Sequence, residues 1–255
     1  MADVDAVNIG HLQQVIGRLH NNYNGLVVVM RGRYDEAKCP RLFETYLASL
    51  PSQDEPYLWT DKSSNYCKAY DDLDSVRVKG SGVPIADVFM HVNQEQGLTY
   101  SASQAIHHEA LRSVMNQVLI NTIRLQHNDL YSISVDAENV HHPFAQQNYT
   151  IHFTCPPDKA MRIVADVRDA LHAMAHGDAV SQTIVNSFVN HSIKRAKSGK
   201  ASAIDDLLNE YLYDGQWANP KDFDLLHSVT VESLRSYTKA LLDLGHIQTY
   251  IVRAE

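Results

Sequence analysis

Apolar residues along this chain alternate between a helical and a two-residue period, and the switches mark its elements. Over residues 8–22, Ile9, Leu12, Val15, Ile16 and Leu19 recur at helical spacing and leave His11, Gln13, Gln14 and Arg18 outside. Asn21-Asn22-Tyr23-Asn24-Gly25 is turn chemistry, because Asn and Gly tolerate positive φ. Leu26-Val27-Val28-Val29-Met30 is apolar without a break, the pattern of a strand buried on both faces. Asp35 can cap a helix that carries Leu42, Phe43, Tyr46, Leu47 and Leu50 and stops at Pro51. The first fifty residues therefore read as helix, strand, helix.

Residues 51–74 change character. Pro51, Ser52, Pro56, Ser63 and Ser64 precede the acidic group Asp71, Asp72 and Asp74, which fits a linker or an edge hairpin. A second unit starts at Ser75. Val76 and Val78 alternate with Arg77 and Lys79, Gly80-Ser81-Gly82 turns the chain, and Val88, Met90 and Val92 alternate with Asp87, Phe89 and His91. Residues 100–124 make the longest helix, with Ile106, Ala110, Val114, Val118 and Thr122 in one row and Leu111, Met115 and Leu119 in the next. Ile133 and Val135 lie on a strand, and Tyr149, Ile151, Phe153 and Cys155 form another of clear period two. After Pro156-Pro157 a helix runs from about Asp158 to His176 and ends at Gly177. Further helices are predicted over about 180–197, 202–213 and from Thr230 to Leu242, with a closing strand over Ile247–Val252.

Strands joined by short turns predict an antiparallel sheet, with helices on one of its faces: an α+β fold that leaves a polar sheet face open. The chain divides into a helix-strand-helix stretch, 1–55, a linker or edge hairpin, 56–74, and a second unit, 75–255. At 255 residues with 44% hydrophobic and 20% charged residues, the composition is that of a folded globular protein. A formal net charge of -8 argues against a dedicated nucleic-acid binder. Cys39, Cys67 and Cys155 are odd in number and widely spaced, so they read as buried or free thiols. No apolar run approaches the roughly 18 residues of a membrane span, and the acidic N-terminus lacks signal-peptide character.

The chemistry-bearing stretch is Ile123-Arg124-Leu125-Gln126-His127-Asn128-Asp129-Leu130-Tyr131. A long apolar helix ends in an arginine, and a tyrosine then opens a strand. A guanidinium is permanently charged and donates through a rigid fork; a phenol is a single well-aimed donor. The two can converge on one carbonyl oxygen and stabilise charge developing there. The other candidates have plainer readings. His172 and His176 stand at i and i+4, a zinc-compatible spacing, but no glutamate base lies between them and no third ligand is evident. A helix C-terminus accounts for both. His107 and His108, next to Glu109, point about 100° apart on a helix and cannot easily share a metal. His141-His142-Pro143 falls in a loop. The basic run from Lys194 to Lys200 reads as a solvated helix end, and Gly80-Ser81-Gly82 precedes no helix and so is no phosphate loop.

Taken in order, several of these segments resemble the pitrilysin/insulinase family of zinc peptidases, the inverzincins, whose metal motif is H-x-x-E-H. Leu26–Asp35 is similar to the family's apolar strand, glycine and acidic turn, and Tyr46-Leu47-Ala48-Ser49-Leu50-Pro51 to the helix end that follows. The long helix closing on Ile123-Arg124, with Tyr131 opening the next strand, resembles the family's arginine and tyrosine. Tyr149–Pro157 and Val229–Leu234 resemble the strand before its next helix and the start of its last helix. The resemblance implies one half of a clam-like enzyme, the C-terminal portion of a larger, bacterial-type peptidase, with residues 1–55 as the end of a preceding domain and 75–255 as a complete α+β domain. Despite 14 histidines, this chain holds neither H-x-x-E-H nor H-E-x-x-H, so it implies the half without metal. Arg124 and Tyr131 would then hold an unfolded peptide substrate. Zinc and its glutamate base would sit on an N-terminal catalytic half, of the same protein or of a partner subunit, with no metal or cofactor in this chain. The chain alone would be inactive. The alternative is a structural or assembly protein that keeps the fold without catalysis, and an uncovered sheet face would allow a homodimer. Periplasm and cytoplasm both stay open.

Overall fold

The computed structural model describes residues 8–24, 26–28, 30, 32–54, 73–78, 85–95, 97–98, 101–124, 130, 132–140, 145–198 and 223–253. They fall in two compact units, Met1–Thr60 and Asp61–Glu255.

In the first unit, α1 (Ile9–Leu19) is capped by Asn8, whose side chain accepts the His11 N–H at 2.9 Å. The second helix, α2 (Cys39–Tyr46), starts later than the sequence predicts. The Asp35 carboxylate takes the Ala37 N–H at 3.1 Å, a local turn that occupies it before the helix begins, and Pro40 lies in the first helical turn. The apolar run after the turn is not the buried strand expected from its composition. No strand forms among its described residues, and Leu26, Val28 and Met30 are 50%, 46% and 42% exposed. A strand exists only by pairing with a neighbour, and none of the described residues of this unit supplies one.

The second unit is α+β. Its strands are β1 (Leu73–Val78), β2 (Ala86–Gln94), β3 (Ser132–Val140), β4 (Gln146–Cys155) and β5 (Gly245–Arg253), in the sheet order β1-β5-β2-β4-β3. The four strands from β5 to β3 are antiparallel, and β1 joins parallel beside β5. The helices are α3 (Ala102–Leu119), α4 (Ala160–His176), α5 (Gln182–Lys197), the short α6 (Phe223–His227) and α7 (Val231–Leu244). The helix expected at 202–213, the acidic linker up to Asp72, and Gly80-Ser81-Gly82 lie outside the described residues.

The two-residue period does its work here. Ala86, Val88, Met90 and Val92 of β2 and Tyr149, Ile151, Phe153 and Cys155 of β4 all turn to one side and are fully buried. Ile133 and Val135 of β3 and Ile251 of β5 join them. The apolar stripes of α3, α4 and α7 close the same cluster, with Leu111, Met115, Leu119, Ile163, Leu171, Met174, Leu234 and Leu241 all but inaccessible. At full burial each such side chain contributes roughly 1.5–3 kcal/mol. One core on one face of the sheet leaves the alternate residues of every strand on the other face.

Candidate functional site

Arg124 owes its position to an irregularity at the end of α3. Ser101 caps the helix, its hydroxyl accepting the Gln104 N–H at 3.1 Å, and the buried stripe runs from His108 to Leu119. The chain then widens into a single π turn, Ile120–Arg124. Such turns arise where one residue too many must be fitted without breaking the helix, and they concentrate at functional sites. Ile123 stays in the core at 2% exposure, and Arg124 emerges into solvent with no ion pair among the described residues. Asn116 ties this end to the sheet, its Oδ1 accepting the Val135 N–H at 3.2 Å. Tyr131, the other half of the expected donor pair, lies outside the described residues, between buried Leu130 and the start of β3.

The strand register places a second set of groups together on the open sheet face. Tyr250 stands opposite Phe89, Phe89 opposite His152, and His152 opposite Ser134, a row across four strands. The rings of Phe89 and His152 stack with centroids 4.4 Å apart and planes 13° from parallel. Asp87 Oδ1 lies 3.7 Å from His152 Nε2, near enough for charge attraction and too far for a hydrogen bond. In the adjoining row His91 Nδ1 meets the Thr150 hydroxyl at 3.0 Å, and burial lowers this imidazole below its usual range. The face therefore offers stacking surface, hydroxyls and imidazoles with little fixed charge at its centre. The sequence shows the alternation that builds it but not which residues become neighbours, because that depends on register.

The expected histidine pairs separate. His107 bridges two helices, Nδ1 against the Ser103 carbonyl at 2.8 Å and Nε2 against the Ser233 hydroxyl at 3.0 Å. His108 is buried against Tyr149, ring centroids 4.6 Å apart, and neither ring nitrogen has a hydrogen-bond partner. Burial pushes its imidazole down to about 4. Beside it, Gln147 donates to the Tyr237 hydroxyl, Tyr237 donates to the Gln104 carbonyl at 3.3 Å, and Tyr149 donates to the His108 carbonyl at 3.3 Å. Burial raises both phenols. This polar seam between α3, α7 and β4 is structural.

Exposed His172 and His176 stack at 6.5 Å on the solvent side of α4. Among the described residues no three His, Cys, Asp or Glu side chains gather to hold a metal ion, so these residues do not fit a zinc site. His141 and His142 lie outside the described residues, as does Cys67. Cys39 and Cys155 are free thiols, and burial pushes Cys155 up to about 11, away from nucleophilic use. Lys194, Arg195 and Lys197 occupy the exposed last turn of α5. A groove of about 570 Å³ between α3 and α5 went unread in the sequence; it is lined by Arg112, Gln117, Ser187, Phe188 and His191 among others. Glu109 pairs with Arg112, holds it charged and occupies its fork.

Solved structures share this architecture. A protease from Helicobacter pylori aligns at a TM-score of 0.72 and 16% identity, over 99% of this chain and 61% of that one. The periplasmic protease PqqL from Escherichia coli aligns at 0.69 and 19% identity, over 88% of this chain and 25% of its own. The inactive domain of a peptidase M16 from Pseudomonas fluorescens aligns at 0.57 and 13%, over 85% and 51%. The chain has the fold of a pitrilysin/insulinase-type peptidase domain. At such identities the likeness concerns the path of the backbone. No protein-family model and no curated protein matches the sequence. The chain spans a quarter of the length of PqqL and about three-fifths of the Helicobacter protease.

Proposed function

We propose that this chain is the non-metal-binding module of a zinc metalloendopeptidase, which holds an unfolded peptide while a zinc-bearing half completes the site. The observation that carries this reading is the pairing of an insulinase-type fold, shared with an inactive M16 domain, with a guanidinium that a π turn delivers to solvent and that has no ion pair among the described residues. In this reading residues 1–55 close a preceding domain, 56–74 connect, and 75–255 form the holding domain. Zinc belongs to the other half, and no step at the metal is assigned to this chain.

Arg124 and Tyr131 direct their donors at one peptide carbonyl and hold the negative charge that grows on it. A permanently charged fork and a phenol, fixed before reaction, need no reorganisation when the charge appears. Removing one such donor typically costs on the order of 10²–10³ in kcat. Arg124→Ala and Tyr131→Phe in the intact two-half enzyme are expected to lose about that factor, with circular dichroism unchanged. Wild-type turnover in both variants overturns the assignment. Full-length protein that neither cleaves nor binds an unfolded peptide, yet forms a stable assembly, decides for the structural role instead.

A further inference from the structure

Register sets what lies beside the candidate donors on the open sheet face. Ser132 directly follows Tyr131 in the chain; it stands opposite Thr154, and Thr154 stands opposite Asp87. The next row along the strands is that of Ser134, His152, Phe89 and Tyr250. Asp87 therefore borders the Phe89–His152 stack on the side where Tyr131 leads into the sheet. Two strand spacings separate Asp87 from Ser132, roughly 10 Å. An extended peptide advances about 3.3–3.6 Å per residue, so a long side chain close to a carbonyl held at Tyr131 can reach that carboxylate.

The Asp87 side chain is 51% exposed, and its ionic neighbour among the described residues is His152 Nε2 at 3.7 Å, beyond hydrogen-bond distance. That imidazole nitrogen has no hydrogen-bond partner among them either. Asp136 and Glu138 of β3 add two exposed carboxylates to the same face, Asp136 within electrostatic reach of Arg112. Among the described residues β2, β3, β4 and β5 place no lysine or arginine on this face, and Arg77 of β1 is two strands away from Asp87 by register. The whole chain carries a formal charge of -8. A face of this sign draws cations, and a second copy pairing through it would gather like charges. Beside the carboxylate, the stacked rings of Phe89 and His152 supply a flat aromatic surface. Arginine matches both features: its planar guanidinium pairs with carboxylates and stacks on rings, and its stem covers apolar surface.

We propose that Asp87, Phe89 and His152 form a subsite for an arginine side chain of the bound peptide, close in sequence to the carbonyl held by Arg124 and Tyr131. The Asp87 carboxylate pairs with the guanidinium, and the ring stack flanks its plane. This rests on the peptide-holding role and deepens it by naming the side chain that the open sheet face selects. The selection is for positive charge together with planarity, so a neutral or acidic residue at that place in the peptide is held less tightly.

NMR titration of the 255-residue chain tests it with a short unstructured glycine-serine peptide carrying one arginine, and with two more carrying citrulline or glutamate at that place. Citrulline keeps the shape and plane of arginine and lacks its charge. The arginine peptide is expected to bind about tenfold more tightly than the citrulline peptide, shifting the amide resonances of Asp87, Phe89 and His152. The glutamate peptide should bind more weakly than either. Asp87→Asn should bring the arginine peptide to the citrulline value, and Phe89→Leu should cut the preference about threefold. The amides of Met90 and Ile151 report that both variants are folded. Asp178→Asn, which removes an exposed carboxylate paired with Arg235, should leave the preference intact. Equal binding of the three peptides overturns the subsite and leaves the peptide-holding role standing. A preference that Asp178→Asn removes as fully as Asp87→Asn reports net charge alone and also overturns the subsite. Binding of none of the peptides overturns both. Turnover of the Arg124 and Tyr131 variants is read separately, so the holding role and the subsite fail independently.

Discussion

His108 is a titratable side chain largely cut off from water. It is 5% exposed, its ring is tilted 43° against that of Tyr149, and neither nitrogen is hydrogen-bonded among the described residues. An imidazolium there would have lost its hydration without gaining an acceptor, which is why its proton leaves at about 4 in the fold and near 6.5 in the unfolded chain. The unfolded state therefore binds more protons between these values. Stability from keeping this ring neutral is complete above pH 6.5 and is lost as the pH falls toward 4, by roughly 3 kcal/mol in all. Urea unfolding at pH 7.0 and 4.5 should show that loss, and His108→Leu should remove most of it. An unchanged pH slope in the variant would place the acid sensitivity elsewhere. That His107 and His108 point apart was readable from helical geometry. That one joins two helices and the other lacks any partner was not, because both facts depend on α7 and β4, which are distant in sequence.

Elements show where local pattern ends. The apolar rows of α3 predict its buried stripe correctly, from Ala110 to Leu119. The π turn that follows leaves no trace in the pattern, since an added residue shifts the phase only after Leu119 and Ile120–Arg124 are too few to show it. The exposure of Arg124 was expected; the device that produces it was not. Gly245 tells a similar story. It ends α7 and opens β5 at once, and a methyl group there would run into the carbonyl oxygens of Leu241 and Asn93. The sequence marks only a glycine after a helix, while the structure shows two backbones meeting at it. Because main-chain atoms of α7 and β2 would both have to give way, Gly245→Ala should destabilise the domain by about 2–4 kcal/mol. Chemical denaturation measures this, and a loss below about 0.5 kcal/mol, the scatter of ordinary surface changes, would mean the helix-to-strand junction yields more easily than its packing implies.

At the scale of the molecule, the class of fold was legible and its strand order was not. Period-two segments joined by a short turn predict the antiparallel pair β3–β4, and the open polar face follows from their alternation, whereas β1 and β2, which the same rule would set side by side, are separated by β5. The return of the last strand to lie between β1 and β2, with β1 parallel beside it, is a pairing across most of the chain that no local window contains. The apolar run Leu26–Met30 carries the opposite lesson: its composition is that of a buried strand, and the described residues of the first unit hold no sheet to bury it. The two units consequently differ in what holds them. The second owns a continuous core spanning Ala86 to Ile251, whereas none of the residues from 8 to 54 whose exposure is described is buried. Residues 61–255 should therefore fold without the rest. Their unfolding free energy is expected to match that of the whole chain within about 0.5 kcal/mol. The denaturant slope should agree within about 10–15%, because that slope follows the surface exposed on unfolding and the first unit has little left to expose. Residues 1–60 alone should show no cooperative transition and fast amide exchange throughout. A fragment 61–255 that melts markedly earlier than the whole chain would mean the first unit contributes packing that its exposed side chains do not reveal.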